Sequence, residues 1–194
     1  TVTIKDARKN TQIAWQSHGF ELFNHSSAVV NWHDQATLTD TYAVEMEAFA
    51  RQLSGCKACI SSGPVVRSQK TAELHQDLAP IQLVHTDFSQ NFRDMFEVSN
   101  HPYVKLLKKS MSRQGITTED VHAASRILVL HFWRNIGPLI TDYPLAVCDG
   151  RSFPKEFLKV QPIEGYAGSD TVFETTLCLA SDAKEQWYTY PAMQ

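Results

Sequence analysis

Positions 127–133 read Ile127-Leu-Val-Leu-His-Phe-Trp133, a run of aliphatic, β-branched and aromatic side chains that is typical of a buried β-strand. Short segments of the same character recur along the chain, separated by Gly, Pro, Asn or Asp. We predict further strands at 20–23, 65–66, 81–85, 145–147, 172–177 and 186–190, and the first six residues also have the pattern of a strand. Four of these eight segments, including the longest, fall in the second half of the chain.

Helical periodicity is concentrated in the first two thirds of the chain. Apolar side chains recur at three- and four-residue spacing over 37–53, which predicts a helix with one buried face. We expect Thr39 or Asp40 to cap its start and Gly55 to lie just past its end. A second helix is predicted over 103–112 and is ended by Gly115, and a short third one over 118–124.

This distribution of elements predicts the fold class. Helices come early and strands late, without the regular alternation of a doubly wound sheet. The pattern favours a mainly β fold, a sandwich or jelly-roll barrel with flanking helices. We find no internal repeat or linker, so residues 1–194 are expected to form a single domain.

Composition excludes several function classes. The chain of 194 residues has 18 Lys and Arg against 21 Asp and Glu, a net charge of −3. Such a balance excludes a polybasic nucleic-acid or membrane-surface binder. No apolar run approaches the roughly 18 residues of a membrane span. We therefore expect a compact, water-soluble enzyme or small-molecule-binding domain without nucleic-acid or membrane partners.

Four cysteines bear on the cellular compartment. So few thiols in a chain of this length do not form a disulfide scaffold, and no signal peptide is recognised, which predicts a reducing, cytoplasmic location. Cys56 and Cys59 match the spacing of half a zinc site or a redox pair. No second pair follows and the motif does not open a helix, so we favour two cysteines in a strand.

His85-Thr86-Asp87 is the tripeptide that points most directly to chemistry. Residues i and i+2 of a strand share one face, so His85 and Asp87 can present an imidazole nitrogen and a carboxylate oxygen to one ion. With a second His they would form the facial triad that suits ferrous iron in oxygenases. Spacing alone does not separate this role from a chance pairing, because the chain has 8 His.

Arg134 and His131 form a second candidate cluster after the 127–133 run. An unpaired guanidinium would be costly to bury beside an apolar strand. Arg134 is therefore expected to extend to the surface at the strand end, to pair with an Asp or Glu, or to bind a carboxylate of a co-substrate or substrate. His131 shares a strand face with Trp133, and we consider it as a third metal ligand, a pocket residue or a hydrogen-bonded core His.

Several ordered motifs carry a family resemblance. These are Asp6-Ala-Arg8, His18-Gly-Phe20, Val66-Arg67, Trp133-Arg134, Gly137-Pro138, Pro144-Leu-Ala-Val-Cys-Asp149-Gly-Arg151-Ser152 and Trp187-Tyr188-Thr-Tyr190-Pro-Ala-Met193. In this order the sequence resembles the fungal and bacterial hydroxylase/desaturase family that includes gibberellin-desaturase-like, asaB-like, CmcJ-like and NvfI-like tailoring enzymes. The nine-residue string 144–152 is the most specific element, because chance matches of that length are rare.

The resemblance implies a non-heme Fe(II), 2-oxoglutarate-dependent dioxygenase on a double-stranded β-helix, a jelly-roll, cupin-like core. It implies His85 and Asp87 as catalytic metal ligands, with dioxygen and 2-oxoglutarate as co-substrates. The implied reaction is hydroxylation, desaturation or oxidative cyclisation of a small natural product. Arg134 is our candidate for a carboxylate contact, and the candidates for the pocket wall are Arg67, His131, Trp187 and Tyr190.

The sequence also departs from this family. The family's distal iron-binding His and an Arg that binds 2-oxoglutarate follow the Trp-Tyr motif, and this chain stops at Gln194. We therefore expect a chain that lacks the family's N-terminal extension and C-terminal end, with an exposed edge that could pair in a homodimer. The alternative is a binding barrel that has lost the iron centre. Asp149 and Arg151 are interpreted as a family motif or as a structural ion pair.

Overall fold

The computed structural model describes residues 2–74, 79, 81, 83–98, 101–141, 143–165, 173–180 and 184–193. The α-helices are α1 (Trp15–His18), α2 (Gln35–Thr37), α3 (Ala43–Ser54), α4 (Gln69–Leu74), α5 (Pro102–Gln114) and α6 (Thr118–Ala123). A π-helical segment, Leu38–Tyr42, joins α2 to α3, and 3-10 turns cover Ala7–Lys9, Phe92–Phe96 and Lys155–Phe157. Within the described residues, no helix is long and apolar enough to cross a membrane.

The predicted helix over 37–53 is confirmed and starts earlier than expected. Helical backbone runs without a break from α2 through α3 and ends at Gly55, whose φ of +66° is the left-handed conformation expected there. The expected cap was wrong, because Thr39 and Asp40 lie inside the helix. Asp34 caps the first turn instead, and its Oδ1 accepts a hydrogen bond from the amide of Ala36 at 3.1 Å.

The two later helices are also confirmed. α5 ends at Gly115, with a φ of +64°, and its first turn is capped by the side chain of His101. α6 begins with a reciprocal capping box between Thr117 and Asp120.

The strands form two three-stranded sheets. They are β1 (Ile4–Asp6), β2 (His85–Thr86), β3 (Val147–Cys148), β4 (Leu158–Ile163), β5 (Phe173–Cys178) and β6 (Trp187–Thr189). The sheet orders are β1-β6-β3 and β2-β5-β4. β1 lies parallel to β6, with Ile4 opposite Trp187, and β3 lies antiparallel to β6, with Val147 opposite Tyr188.

Five predicted strands correspond at least in part to these elements, and Thr1, Gln82 and Val172 of the predicted ranges lie outside the described residues. The strands predicted at 20–23, 65–66 and 127–133 were wrong. A strand requires a neighbour for its backbone groups, and these runs belong to neither sheet of the described structure. Leu128, Val129 and Trp133 are each more than a third exposed. The sequence did not predict β4 or α4.

Two compact units divide the chain. The terminal unit comprises Thr1–Ser26, Trp133–Lys159 and Leu177–Gln194, and the helical unit comprises Ser27–Phe132 and Val160–Thr176. The helical unit has two buried apolar clusters: one of Phe96, Val104, Leu107, Met111 and Val121, the other of Val29, Leu38, Tyr42 and Met46. Sheets and helices are thus both present as predicted, and helices occupy more of the described residues than strands do.

Candidate active site

β2 brings His85 and Asp87 together in the helical unit. The imidazole Nε2 of His85 lies 3.0 Å from Oδ1 of Asp87. This is the proximity expected for residues i and i+2 on one face of a strand. Both side chains are accessible, with 24% of the His85 side chain and 50% of the Asp87 side chain exposed.

A backbone carbonyl fixes the orientation of the His85 ring. The Nδ1 atom of His85 lies 2.8 Å from the carbonyl oxygen of Leu83, and since a carbonyl only accepts, Nδ1 carries the proton of this hydrogen bond. Nε2 is then the nitrogen that faces Asp87. Metal-ligating histidines usually donate their other ring N–H in this way, which fixes the tautomer needed for ligation.

The separation of the two donor atoms fits a six-coordinate divalent ion. Ligand atoms at right angles on bonds of about 2.1 Å lie ~3.0 Å apart. Nε2 of His85 and Oδ1 of Asp87 are at that distance. One imidazole and one carboxylate are also the donor types of the iron facial triad. The two residues therefore fit two adjacent positions of a ferrous centre.

Electrostatics favour the charged forms of both groups. The hydrogen bond to Asp87 raises the pKa of His85, against an opposing effect of burial. The same bond lowers the pKa of Asp87, also against burial, and electrostatic interactions with His131 and Arg67 lower it further. Both shifts favour the charged forms of the two groups when no metal is bound, whereas a metal ion would take both donor atoms.

Strand β5 holds the segment that carries these residues. Thr175, which is 3% exposed, donates its hydroxyl to the carbonyl of Thr86 at 2.5 Å. The Ser89 hydroxyl donates to a carboxylate oxygen of Glu174 at 2.7 Å, and the Ser89 amide donates to the Glu174 carbonyl at 3.2 Å. Sequence reasoning missed these supports. No pattern in the Phe173–Cys178 sequence distinguishes Thr175 from its neighbour Thr176.

His131 also lies at this site. Its Nδ1 is 3.4 Å from Oδ2 of Asp87, and its ring stacks on Phe88 with centroids 6.1 Å apart and planes at 21°. The side chain is 58% exposed, so the core role considered for His131 is wrong. Within the described ranges no three His, Cys, Asp or Glu side chains are placed to hold a metal ion.

An open cavity of about 520 Å³ adjoins Asp87. Its lining includes Phe88, Phe92, Ile127, Val129 and His131. The apolar wall is an aromatic cluster in which Phe88 contacts Phe92 at 4.7 Å and Tyr103 at 5.0 Å between ring centroids. The lining also includes Thr86, Ser89, Gln90 and Arg93. The cavity therefore combines an apolar wall with polar side chains, which is the combination found in small-molecule sites.

Arg67 belongs to the electrostatic surroundings of the same site. Its Nη1 donates to the carbonyl of Ala79 at 3.2 Å. Its positive charge lowers the pKa of both His85 and Asp87. The helical unit therefore contains Arg67, His85, Asp87 and His131 from the predicted site.

The other three predicted site residues lie in the terminal unit. Arg134 donates from Nη2 to the His25 carbonyl at 2.7 Å. Trp187 is buried and donates from its indole to Glu185 at 3.0 Å, and Tyr190 packs edge-on against Phe20. These contacts describe packing within that unit, and the predicted carboxylate and pocket roles of the three residues stay predictions.

The Asp149–Arg151 motif forms an ion pair in the turn after β3. Asp149 is 2% exposed and accepts hydrogen bonds from the Arg151 guanidinium at 2.7 and 2.9 Å and from the Arg151 amide at 3.1 Å. The guanidinium bonds lower the pKa of Asp149. The pair fixes the turn, which is the structural interpretation of this motif.

Replacing Asp149 with Asn should lower the free energy of unfolding at pH 7 by about 1.5–3 kcal/mol, the range for hydrogen bonds to charged groups. Because the folded-state pKa is lowered, this stability is present above the ordinary Asp pKa and is lost as the pH falls through the folded value. The free energy of unfolding, measured in urea between pH 7 and pH 3, should therefore decrease less steeply with falling pH for Asp149→Asn than for wild type. The exposed Glu156→Gln in the same unit is the control, and equal wild-type and Asp149→Asn curves would contradict the prediction.

The two cysteines of the C-x-x-C motif lie in an irregular segment after α3, so their expected strand conformation was wrong. All four cysteines are free thiols. Burial raises the pKa of Cys59 to about 11, which is opposite to the lowered pKa of a redox-active thiol.

Cys59 should consequently alkylate slowly in the folded protein. A rise of the pKa from 9.0 to about 11 lowers the thiolate fraction at neutral pH roughly 100-fold. Peptide mapping after treatment with iodoacetamide at pH 7.5 measures the alkylation rate of Cys59. The reference is the same protein unfolded in concentrated urea. Equal labelling rates in the two conditions would contradict it.

Comparison with known proteins defines the class. A family model described as "Oxidoreductase/YMDC permease-like domain" matches residues 1–194, and the chain belongs to this family. A curated relative, the protein named "Hydroxylase/desaturase efuI" from Hormonema carpetanum, is 24% identical over 208 positions. The alignment covers 96% of this chain, and the chain spans 65% of the length of that relative. Membership of this family agrees with the expected oxidoreductase class.

Proposed function

We propose that this chain carries part of the active site of a non-heme Fe(II), 2-oxoglutarate-dependent dioxygenase that tailors a small natural product. The observation that carries the proposal is the pair of donor atoms at the end of β2, Nε2 of His85 and Oδ1 of Asp87, 3.0 Å apart. The hydroxylase/desaturase relative supports an oxidative reaction. The finer fold assignment, a double-stranded β-helix, is part of this proposal.

Bound iron with 2-oxoglutarate and dioxygen would supply the oxidising power to remove hydrogen from an unactivated carbon. The residues of the chain would orient the metal ligands and form the walls of the site. Leu83 keeps Nε2 of His85 available for the metal, and β5 holds the backbone on either side of Asp87 through Thr86 and Ser89. Arg134 is the proposed carboxylate contact, for 2-oxoglutarate or the substrate.

The cavity beside Asp87 indicates the character of the substrate. Phe88, Phe92, Ile127 and Val129 give it an apolar wall on which a hydrocarbon group of the substrate would pack. We infer a small molecule that presents a hydrocarbon face to the metal, with hydroxylation, desaturation and oxidative cyclisation all consistent with this arrangement. Arg67, His131, Trp187 and Tyr190 are the proposed pocket residues. A cytoplasmic location and pairing as a homodimer belong to the same proposal.

Anaerobic titration with Fe(II) and 2-oxoglutarate tests the proposal. On the purified protein encoded by the complete gene, we expect the weak visible charge-transfer band of a bound Fe(II)–2-oxoglutarate pair. The band should be absent from His85→Ala and unchanged in Cys59→Ser, since the thiols have no place in the proposed centre. A folded wild-type protein without the band would overturn the proposal.

A second candidate is a binding protein of the same fold that has lost the iron centre. It is favoured by the observation that, in the part of the chain that the structure describes, two donor residues converge without a third. This alternative predicts no charge-transfer band, together with binding of an apolar small molecule in the cavity beside Asp87. Quenching of tryptophan fluorescence by such a ligand, with no response to Fe(II), would support it.

A further inference from the structure

Both oxygens of the Asp87 carboxylate are contacted by imidazole rings. His85 approaches Oδ1 at 3.0 Å and His131 approaches Oδ2 at 3.4 Å. The two histidines come from separate parts of the sequence and face different oxygens. The contact with His131 is therefore not a consequence of the His85-Thr86-Asp87 spacing.

The position of the His131 ring is set by the aromatic cluster. The ring lies nearly parallel to Phe88, with a 21° angle between the planes. Phe88 is itself held edge-on by Phe92 and Tyr103. Although the His131 side chain is 58% exposed, this stacking directs its Nδ1 toward Asp87.

A hydrogen-bond donor at Oδ2 has a defined effect on a metal-binding carboxylate. With Oδ1 directed at the metal, an N–H on Oδ2 keeps the carboxylate from rotating and from binding through both oxygens. Contacts of this kind are often long before the metal binds and shorten afterwards. His131 itself does not complete a three-residue metal site with His85 and Asp87 in the described structure.

We propose that His131 is a positioning residue, which donates from Nδ1 to Oδ2 of Asp87 and so presents Oδ1 to the metal. This inference rests on the proposed function, because it assumes that Asp87 is a metal ligand. It assigns to His131 a contact with a metal ligand and not direct ligation of the metal. The ring that supplies the donor also forms part of the cavity lining.

Two matched substitutions distinguish the effect of the hydrogen-bond donor of His131 from the effect of its ring. His131→Asn places an amide nitrogen where Nδ1 lies and removes the ring, whereas His131→Phe keeps a ring for stacking on Phe88 and removes the donor. The probe is Mn(II), a redox-stable substitute for Fe(II), with affinity measured from the electron paramagnetic resonance signal of the free ion. The measurement uses the protein encoded by the complete gene.

We expect His131→Phe to weaken Mn(II) binding by about 10-fold or more, the range found when an outer contact to a ligand is removed. His131→Asn should stay within about threefold of wild type, because the amide is an equivalent donor. The Fe(II) charge-transfer band should shift in His131→Phe and not in His131→Asn. His131→Leu serves as a second donor-free variant if circular dichroism shows that His131→Phe is unfolded.

Three results would overturn the inference. Wild-type affinity in His131→Phe would show that the contact has no effect on the metal. Equal losses of Mn(II) affinity in His131→Phe and His131→Asn would assign the effect to the imidazole ring. If these losses also equal the loss in His85→Ala, they would indicate that His131 binds the metal directly. If wild type binds no Mn(II), the proposed metal centre fails and the inference fails with it, whereas the first two results leave the metal centre intact.

Discussion

Replacing Asp87 with Asn is expected to abolish turnover and to reduce metal affinity by more than about 100-fold. Loss of a residue that only contacts a metal ligand reduces affinity by up to roughly 100-fold, and loss of a ligand itself should cost more. The amide keeps the size of the side chain but supplies no negative charge to a cation. Mn(II) titration and product analysis measure the two losses, and His85→Ala should behave in the same way.

This substitution should leave the fold intact. Asp87 is half exposed and lies outside both buried clusters of the helical unit. The matched control is Asp94→Asn, which removes an exposed carboxylate in the same unit. A melting temperature within a few degrees of wild type, together with loss of metal binding, would show that the substitution affects the metal site and not the fold. If Asp87→Asn binds metal and turns over as wild type does, the assignment of Asp87 is wrong.

The second large effect concerns stability, at a buried carboxylate that joins α3 to α5. Glu47 is 6% exposed, and both of its carboxylate oxygens accept hydrogen bonds from Arg113, at 2.5 and 2.6 Å. Ser110 and Ser61 donate to the same carboxylate at 2.7 and 2.8 Å. All of these groups lose their shared partner if Glu47 is removed.

Glu47→Ala should therefore lower the free energy of unfolding by about 3 kcal/mol, the lower end of the range for deleting one member of a buried ion pair, because the remaining Arg113 side chain is 37% exposed and water can solvate part of its charge. Urea unfolding at pH 7 followed by circular dichroism measures the change. Glu47→Gln, which keeps a hydrogen-bond acceptor, should cost less. Glu73→Ala, an exposed glutamate of α4, should change stability by less than about 0.5 kcal/mol. A loss below about 1 kcal/mol for Glu47→Ala, the value of an exposed pair, would contradict this account.

Local patterns in the sequence predicted the features that depend on neighbouring residues. The three- and four-residue spacing predicted the helix that ends at Gly55, and the two-residue period of a strand placed His85 beside Asp87. Both results follow from backbone geometry over a few residues. The same reasoning identified Gly115 as the end of α5.

Features that depend on distant partners were not predictable in this way. Residues 127–133 have the composition of a strand, but a strand also needs a neighbour, and composition does not reveal whether one is present. The contact of His131 with Asp87 and the support of Ser89 by Glu174 likewise join residues far apart in sequence. Only a tertiary structure places such residues together.

The parallel pairing of β1 with β6 has a consequence for how the chain is made. Ile4 lies opposite Trp187, and the neighbouring bond from Arg8 to Pro191 joins residues 183 positions apart. At ribosomal rates of about 5–20 residues per second, β1 leaves the ribosome roughly 10–40 s before its partner is synthesised. During that interval the helical unit can acquire its local contacts, whereas the sheet of the terminal unit has to wait for the last segment of the chain.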